Sequence, residues 1–316
     1  MMNFFLYSIL VIFIICSSEF VIKNSIPKMG DIFKDIPNDR SSHSIPKLKS
    51  GGLFFIFFVL IFNIIALYQN GTNELSEVIF LCTLMGFVGL IDDLISLSSQ
   101  LRYFLQLIIS FFIVQSTQYE FLLNEKFYYF LPLVLLGPAV INLLNFMDGI
   151  DGLLIGCTLP LLIYSQLKIV DIQIIVLIAC MVSFLKWNWY PSKIFMGNCG
   201  SYFLGSLVFY FLISKNLYID FNSVFIVFPL LFDSSFCIIR RISNKENIFI
   251  PHKKHIYQRL HQAGLSHGKV SLIYISFCII NLIITTNAVW VISLFTLLLE
   301  TFIFLYLDKF VAKKFN

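Results

Sequence analysis

Charge is what this sequence has least of. Only 13% of its 316 residues are charged and 58% are hydrophobic, whereas a soluble globular domain carries about 25% charged residues. An ordinary soluble protein is therefore excluded. The seven cysteines are odd in number, scattered and without a CxxC pair, so the sequence indicates neither a disulfide framework nor a zinc site. It also lacks an internal repeat of the kind found in transporters with inverted topology.

Long apolar runs, by contrast, are abundant. A helix needs roughly 20 apolar residues to span a bilayer, and eleven runs that are nearly free of charge follow one another along the chain. They lie at about 3–22, 51–69, 77–91, 103–119, 127–147, 150–167, 172–187, 200–214, 221–239, 270–286 and 288–307. The sequence therefore predicts an all-α, polytopic membrane protein of 10 or 11 transmembrane helices, with residues 1–316 forming a single membrane-embedded domain. The first run lacks a small-residue cleavage site, so we expect it to be retained.

The basic residues divide unequally between the two faces that these spans create. All of the 22 Lys and Arg residues except Lys126, Lys168 and Lys215 fall on one face. Because basic residues favour cytoplasmic loops, we expect the N-terminus outside and the C-terminus in the cytoplasm. The segments expected on the cytoplasmic face are about 23–50, 92–102, 145–152, 187–201 and 240–269.

Carboxylates stand out in two of these segments. Asp92 and Asp93 are adjacent at the end of an apolar run, where they repel each other unless a cation or a proton neutralises the pair. A divalent metal or a proton-transfer role explains such a pair, and two solvated loop acids are the alternative. The stretch NFMDGIDGL at 145–153 places an amide, two carboxylates and two glycines between apolar runs, which predicts irregular backbone around a polar site. A simple hairpin tip is its alternative.

Three further segments are rich in small or basic residues. Residues 195–201 read FMGNCGS, and small residues at a helix start leave backbone N–H groups free for a phosphate or serve helix packing. Residues 251–267 contain four of the five histidines among Lys and Arg, a mixture that suits a polyphosphate better than a transition metal. A basic amphipathic helix on anionic lipid is the alternative. The stretch NDRSSH at 38–43 leads into a turn.

Together these clusters predict phosphoryl transfer between a charged nucleotide and a lipid. Carboxylates suit a divalent metal, and basic side chains offset the charge of phosphates. A transporter or lipid-binding protein that uses the acids as an ion relay is the alternative from a different class. Transport sites lie near the bilayer midplane, whereas these acids lie at the ends of the predicted spans, which disfavours transport.

The order of these clusters over about residues 35–270 resembles that of the polyprenyl-phosphate N-acetylhexosamine-1-phosphate transferases, often called glycosyltransferase family 4. The DD pair, NFMDGIDGL and FMGN-x-GS carry the resemblance. NDRSSH and HKKHIYQRLHQAG are most similar to the branch that initiates O-antigen or related surface glycans, and the triple-histidine run usual in the peptidoglycan branch is absent.

The resemblance implies a glycosyl-1-phosphate transferase of the EC 2.7.8 type in the bacterial inner membrane. Such an enzyme transfers a GlcNAc-like HexNAc-1-phosphate from a UDP-sugar to polyprenyl (undecaprenyl) phosphate, releases UMP and uses Mg²⁺, with Mn²⁺ as an alternative. No nucleic acid is expected as a partner. The apolar outer surface leaves a homodimer open.

The resemblance also implies roles for individual residues. The catalytic group comprises Asp92, Asp93, Asp148 and His255, with Asp92 deprotonating or orienting the lipid phosphate; a covalent intermediate is the alternative. Substrate contacts are expected from Arg102, Asp151, Asn188, Phe195, His252 and Lys253, among which Phe195 stacks on uracil. Asn145 and Asn198 are expected at the metal.

One position departs from the family pattern. Where the family has Asp after Phe-Met-Gly, this chain has Asn198. An amide oxygen can bind Mg²⁺ but brings no charge, so metal affinity should fall. Three interpretations follow: an active enzyme with a weaker metal site, compensation by Asp148 or Asp151, or a catalytically impaired paralogue. Asp233, inside the ninth apolar run, is either a further site residue or a hydrogen-bonding partner between helices.

Overall fold

The computed structural model describes residues 2–28, 30, 33–35, 46–117, 127–213, 219–247, 250, 252–287 and 290–315. In this part of the chain nearly all regular structure is helical, as expected. The helices are α1 Met2–Ser25, α2 Gly52–Asn70, α3 Glu74–Ile95, α4 Ser99–Thr117, α5 Phe127–Asn145, α6 Leu153–Ile169, α7 Ile172–Asn188, α8 Gly197–Leu212, α9 Phe221–Ile226, α10 Phe228–Ser243, α11 Ile256–Gln262, α12 His267–Asn287 and α13 Trp290–Tyr306. A 3₁₀ turn (Ile26–Lys28), a π-helix (Leu307–Val311) and two antiparallel two-residue strands, β1 Lys34–Asp35 and β2 Lys47–Leu48, complete it.

Each of the eleven apolar runs coincides with helix in the described part of the chain. The ninth run is divided at Val227 into α9 and α10, and Pro229 follows at the start of α10, where a missing N–H costs nothing. Among the described residues, four segments are long and apolar enough to cross a bilayer: Gly52–Gln69, Glu74–Ile95, His267–Asn287 and Trp290–Val311. These helices fit a polytopic membrane protein, and the number of crossings stays a prediction.

Helix α8 lies at the centre of the bundle. Every side chain from 199 to 213 is buried, and the helix packs against α3 and α5 most extensively and also against α2 and α6. A helix that is apolar on all sides is expected in the interior of a bundle. The position of α8 therefore determines which residues of the neighbouring helices lie beside its two ends.

Helix α3 approaches α8 closely near the start of α8. A Cβ atom added at Gly89 would lie 2.2 Å from the carbonyl oxygen of Asn198, so no larger residue fits there without a shift of the backbone. This contact brings the last turn of α3, which carries Asp92 and Asp93, against the first turn of α8.

Direct contacts join segments of all five predicted loops at this end of the bundle. The N–H of Phe195 donates to the carbonyl oxygen of Leu48 at 2.7 Å, and the Tyr257 hydroxyl donates to the carbonyl oxygen of Phe146 at 2.8 Å. Asp93 completes the group through its contacts with the first turn of α8. The NDRSSH stretch at 38–43 lies outside the described residues.

Asp233 joins three helices. Its buried carboxylate accepts hydrogen bonds from the N–H groups of Ile256 and Tyr257 at 2.8 and 3.0 Å, and from the Tyr274 hydroxyl at 2.6 Å. Asp233 on α10 thus caps α11 and is tied to α12. Of the two interpretations of this acid, the hydrogen-bonding partner between helices is the one its contacts match.

Candidate active site

Asp93 caps the N-terminus of α8. Its carboxylate accepts from the N–H groups of Asn198 and Cys199 at 3.1 and 3.2 Å and from the Ser50 hydroxyl at 2.8 Å. Gly197 begins the helix with a φ of 73°, and a Cβ there would lie 2.6 Å from Asp93 Oδ2. The first N–H groups of a helix lack partners within the helix, and the helix dipole favours an anion beside them. The hypothesis that this turn offers free N–H groups to a phosphate is therefore wrong for Asn198 and Cys199.

Asp92 is surrounded by hydrogen-bond donors. Its Oδ2 atom accepts from Tyr202 Oη at 2.9 Å, Asn198 Nδ2 at 3.0 Å and Arg102 Nη1 at 3.3 Å. Its Oδ1 atom accepts from the N–H of Leu97 at 2.8 Å. The side chain is buried, so both carboxylate oxygens are already engaged by the protein.

Asn198 links Asp92 to α5. While its Nδ2 donates to Asp92, its Oδ1 accepts from Asn145 Nδ2 at 3.0 Å, and Asn145 Nδ2 also lies 2.8 Å from Ser201 Oγ. Asp92 fixes the orientation of this amide, because the flipped amide would place two oxygens against each other. An aspartate at 198 would face Asp92 with no donor between them. The amide thus supplies a neutral bridge where two carboxylates would need a cation or a proton.

Asp148 is the acid with the fewest partners in the site. In the described part of the chain its carboxylate makes no hydrogen bond and no ion pair. Burial, together with the negative charges of Asp93 and Asp151, raises the pKa of Asp148 well above its ordinary value. A nearby cation would reverse that effect, because it favours the charged form of a carboxylate.

These donors fit a magnesium ion. Mg²⁺ takes hard oxygen ligands and is held by one or two carboxylates together with substrate phosphates. The Asp148 carboxylate is available in this way, and the side-chain oxygen of Asn145 accepts no hydrogen bond from any residue that the structure describes. Asn198 offers less, because both ends of its amide are engaged.

Asp151 anchors three segments. Its carboxylate accepts from the Ser192 hydroxyl and N–H at 2.7 and 3.1 Å, and Lys47 Nζ and His267 Nδ1 each lie 3.4 Å away. Burial alone would raise the pKa of Asp151, but His267 and the hydrogen bonds from Ser192 lower it to about 2. Asp151 is therefore ionised at neutral pH and is nearly fully buried.

Phe195 and Asn188 lie beside this anchor. The Phe195 ring is half-buried, and Lys47 Nζ sits 4.8 Å from its centroid. Asn188 is buried, accepts from the N–H of Gly152 at 3.1 Å and donates to the carbonyl oxygen of Ile194 at 3.0 Å. Asn188 thus holds two loops by their backbones, whereas Phe195 is only partly buried.

Two lysines lie at this site that the sequence patterns did not indicate. Lys47 contacts Asp151 and Phe195, and Lys49 Nζ donates to the carbonyl oxygen of Asp93 at 2.7 Å. Their spacing of two residues was the available signal, since alternate residues of an extended strand share one side. The loop around them reads only as a turn.

The predicted histidines occupy a separate part of the same end. His255 is only 2% exposed; its ring stacks on His252 with centroids 5.0 Å apart, and its Nδ1 lies 3.6 Å from Asp233 Oδ1. His252 and Lys253 are half-buried. His252 and Lys253 are therefore partly accessible, whereas His255 is buried against His252.

The surroundings of His252 are electropositive. Burial, the neighbouring His255 and the Arg241 guanidinium lower the pKa of His252 to about 4, so this imidazole is neutral at pH 7. Cys237, His252 and His255 place potential metal-ligand atoms within 4.8 Å of one another. Arg241 and Lys254, whose charges contribute to this lowering of the pKa of His252, would also oppose a metal ion.

Comparison with known proteins gives a consistent set of relatives. The sequence profile described as glycosyl transferase family 4 matches residues 75–216. A probable undecaprenyl-phosphate N-acetylglucosaminyl 1-phosphate transferase of Bacillus subtilis is 31% identical over 317 aligned positions, which cover 92% of this chain and 86% of the relative. An undecaprenyl-phosphate alpha-N-acetylglucosaminyl 1-phosphate transferase of Thermotoga maritima is 27% identical over 87% of this chain and 88% of its own length. A phospho-N-acetylmuramoyl-pentapeptide-transferase of Clostridium perfringens is 30% identical, but over 50% of this chain and 57% of its own length.

The Asp151 anchor predicts a pH-dependent contribution to stability. Its pKa is about 2 in the folded protein and about 3.9 in an unfolded chain. The stabilisation is therefore fully present above the unfolded pKa and is lost as the pH falls towards 2. We expect Asp151→Asn to lower the free energy of unfolding at pH 7 by about 2 kcal/mol. The deficit should shrink between pH 4 and pH 2 when thermal unfolding is followed in an acid-stable detergent.

Glu19→Gln, which removes an exposed ion pair with Lys186, is the control. A deficit for Asp151→Asn that does not depend on pH would contradict the assignment of the pKa shift to Asp151.

Proposed function

We propose that this chain, which belongs to glycosyl transferase family 4, transfers an N-acetylhexosamine 1-phosphate from a UDP-sugar to polyprenyl phosphate and releases UMP. The chain is a sugar-1-phosphate transferase by its relatives, and the identity of donor and acceptor is the proposal. The observation that carries it is the gathering of Asp92, Asp93, Asp148 and Asp151 with Lys47 and Arg102 at one end of the bundle. Phosphoryl transfer depends on such positioning and charge compensation.

The relatives favour an N-acetylglucosamine donor and an undecaprenyl acceptor. Two relatives that align with 92% and 87% of this chain are both named for N-acetylglucosaminyl 1-phosphate and undecaprenyl phosphate, whereas the peptidoglycan relative of Clostridium perfringens aligns with 50% of it. The product, polyprenyl-diphosphate-sugar, would then begin a surface glycan such as an O-antigen. We place this end of the bundle on the cytoplasmic side of a bacterial inner membrane, because the basic loops lie there.

In the proposed reaction an oxygen of the lipid phosphate attacks the β-phosphorus of the UDP-sugar. The bond between that phosphorus and the bridging oxygen breaks, and the electron pair leaves with UMP. A phosphate monoester has its second pKa near 6 and is mostly doubly ionised at pH 7, so it needs orientation more than deprotonation. Of the two roles expected for Asp92, its four hydrogen bonds support orientation: Asp92 holds Arg102, a phosphate-binding group that remains partly exposed.

A divalent cation belongs in this proposal as Mg²⁺, with Mn²⁺ as the alternative. Bound, it would offset the negative charge of the diphosphate. Asp148 and Asn145 would hold it, because their oxygen atoms are the ones left open in the described part of the site. Asn198 contributes through its bridge between Asp92 and Asn145.

The nucleotide and the sugar would occupy the surfaces next to Asp148. We assign uracil to the half-buried ring of Phe195, with Lys47 beside it. Asp151 and Asn188 hold the loops that position Phe195. The diphosphate and the sugar would meet His252 and Lys253, with His255 as a positioning residue behind them.

The proposed activity is tested most simply by exchange of labelled UMP into UDP-sugars. Membranes containing the protein, polyprenyl phosphate and Mg²⁺ should label UDP-N-acetylglucosamine. A panel with UDP-linked GalNAc, FucNAc and QuiNAc identifies the preferred donor. Loss of exchange on addition of EDTA and its recovery with Mg²⁺ are expected. Absence of exchange with every UDP-HexNAc, beside an active control enzyme, would overturn the proposal.

Asp148→Asn tests whether Asp148 takes part in the reaction, since the other acids of the site already have hydrogen-bond partners. We expect kcat to fall by about 100-fold, an effect of the size seen when one charge-stabilising group is removed, and the response to Mg²⁺ to weaken. Glu77→Gln, at the exposed start of α3, is the matched control and should retain wild-type kcat. An Asp148→Asn enzyme with unchanged kcat and Mg²⁺ dependence would remove Asp148 from the site.

Asn198→Asp separates the impaired paralogue from the two interpretations in which this chain is an active enzyme. The added charge should strengthen Mg²⁺ binding, so the Mg²⁺ concentration for half-maximal activity is expected to fall by about tenfold. Turnover at saturating Mg²⁺ comparable to that of the natural protein would reject the impaired paralogue. A large gain in turnover would favour it.

A further inference from the structure

The chain after α13 folds back onto the histidine-bearing loop. The π-helix Leu307–Val311 and residues 312–315 form a segment that we call the C-terminal clasp. Backbone contacts fix it in place: the N–H of Lys313 donates to the carbonyl oxygen of Arg259 at 3.1 Å, and Arg259 Nη1 donates to the carbonyl oxygen of Lys313 at 2.9 Å. The C-terminal clasp therefore lies directly against α11.

Asp308 of the clasp lies between two arginines. Arg240 Nη1 lies 2.9 and 3.0 Å from its two oxygens, and Arg259 also pairs with it. In the described part of the chain, Asp308 is the one carboxylate that forms an ion pair with either arginine. Asp308 and Arg259 are buried, where a charge without a partner is costly. One side chain of the clasp therefore neutralises two cations of the loop and its flanking helix.

Phe315 of the clasp covers three cations at once. Its ring centroid lies 4.6 Å from the guanidinium carbon of Arg240, 5.4 Å from that of Arg259 and 5.0 Å from Lys254 Nζ. All three distances are within the range of a cation–π interaction. The ring thus holds the ends of α10 and α11 and the loop between them.

Lys254 connects this cluster to the histidines. Its Nζ pairs with Glu246 at 2.8 Å, and Glu246 pairs with Arg241 at 3.0 Å. The N–H of Lys254 donates to His252 Nδ1 at 3.2 Å. The side chain of Lys254 is therefore held between Glu246 and Phe315, while its backbone orients the imidazole that we place at the substrate.

We propose that Asp308 and Phe315 are positioning residues for the sugar-nucleotide site, and that the C-terminal clasp sets the geometry of residues 252–255. The inference rests on the proposed function, because that function gives His252 and Lys253 their substrate contacts. Phe315 is not a member of the apolar core, which ends at Leu307 and Ala312 in this segment. We therefore expect a change of this ring to affect the loop more than the helix bundle.

Phe315→Leu in the full chain tests the proposal, with Phe310→Leu as the matched control. Phe310 belongs to the same segment, but its ring is 65% exposed, and its ring contacts are with Tyr306 and Lys309. For Phe315→Leu we expect the KM for the UDP-sugar to rise about fivefold, the size of one lost cation–π contact. The kcat, the KM for polyprenyl phosphate and the melting temperature should stay close to those of Phe310→Leu. Equal KM values for the two variants, or a parallel fall in kcat and melting temperature, would overturn the positioning role.

A second measurement separates this proposal from the proposed function. Amide hydrogen exchange over residues 252–262 needs no substrate, and it should accelerate in Phe315→Leu and more in Asp308→Asn, but not in Phe310→Leu. Asp308→Glu keeps the charge and should restore protection. If the natural protein showed no transferase activity, the proposed function would fail. The exchange measurement would still test whether the C-terminal clasp holds residues 252–262. Unchanged exchange in both clasp variants would overturn the clasp itself.

Discussion

The contact between the last turn of α3 and the first turn of α8 is the interaction on which the rest of this structure depends. Helix α8 is buried along its length, so the unpaired N–H groups at its start need partners within the protein. Asp93 supplies them, and Gly89 allows the two backbones to come close enough. A pair of acids at the edge of an apolar bundle is thereby stabilised by a helix dipole and a ring of donors.

That contact divides the acids of the site into distinct roles. Asp93 completes α8, Asp92 holds Arg102 and Tyr202, and Asp151 ties Lys47 and Ser192 together. Asp148 is left without a partner among the described residues, and burial, together with the charges of Asp93 and Asp151, raises its pKa. Environments that push like groups apart in this way separate structural acids from reactive ones. We therefore propose that Asp148 is the acid that takes part in phosphoryl transfer, whereas the resemblance alone points first to Asp92.

Much of this could be predicted from the sequence, because apolar length and charge clustering are local properties. The helices and the grouping of DD, NFMDGIDGL and FMGN appear directly in the order of residues. What could not be predicted depends on three-dimensional neighbours. The occupation of the α8 amides by Asp93, the engagement of Lys47 with Asp151, and the return of Phe315 onto Lys254 each join residues more than 50 positions apart in sequence. A local sequence pattern does not indicate which distant residues come into contact.

The most direct test of the proposed transferase activity is the mass of the lipid formed by the purified protein. In nanodiscs with undecaprenyl phosphate, UDP-N-acetylglucosamine and Mg²⁺, we predict that the lipid gains one N-acetylglucosamine phosphate while one UMP appears for each lipid converted. Lipid that keeps its original mass with every UDP-N-acetylhexosamine, under conditions in which an established transferase converts it, would contradict the account.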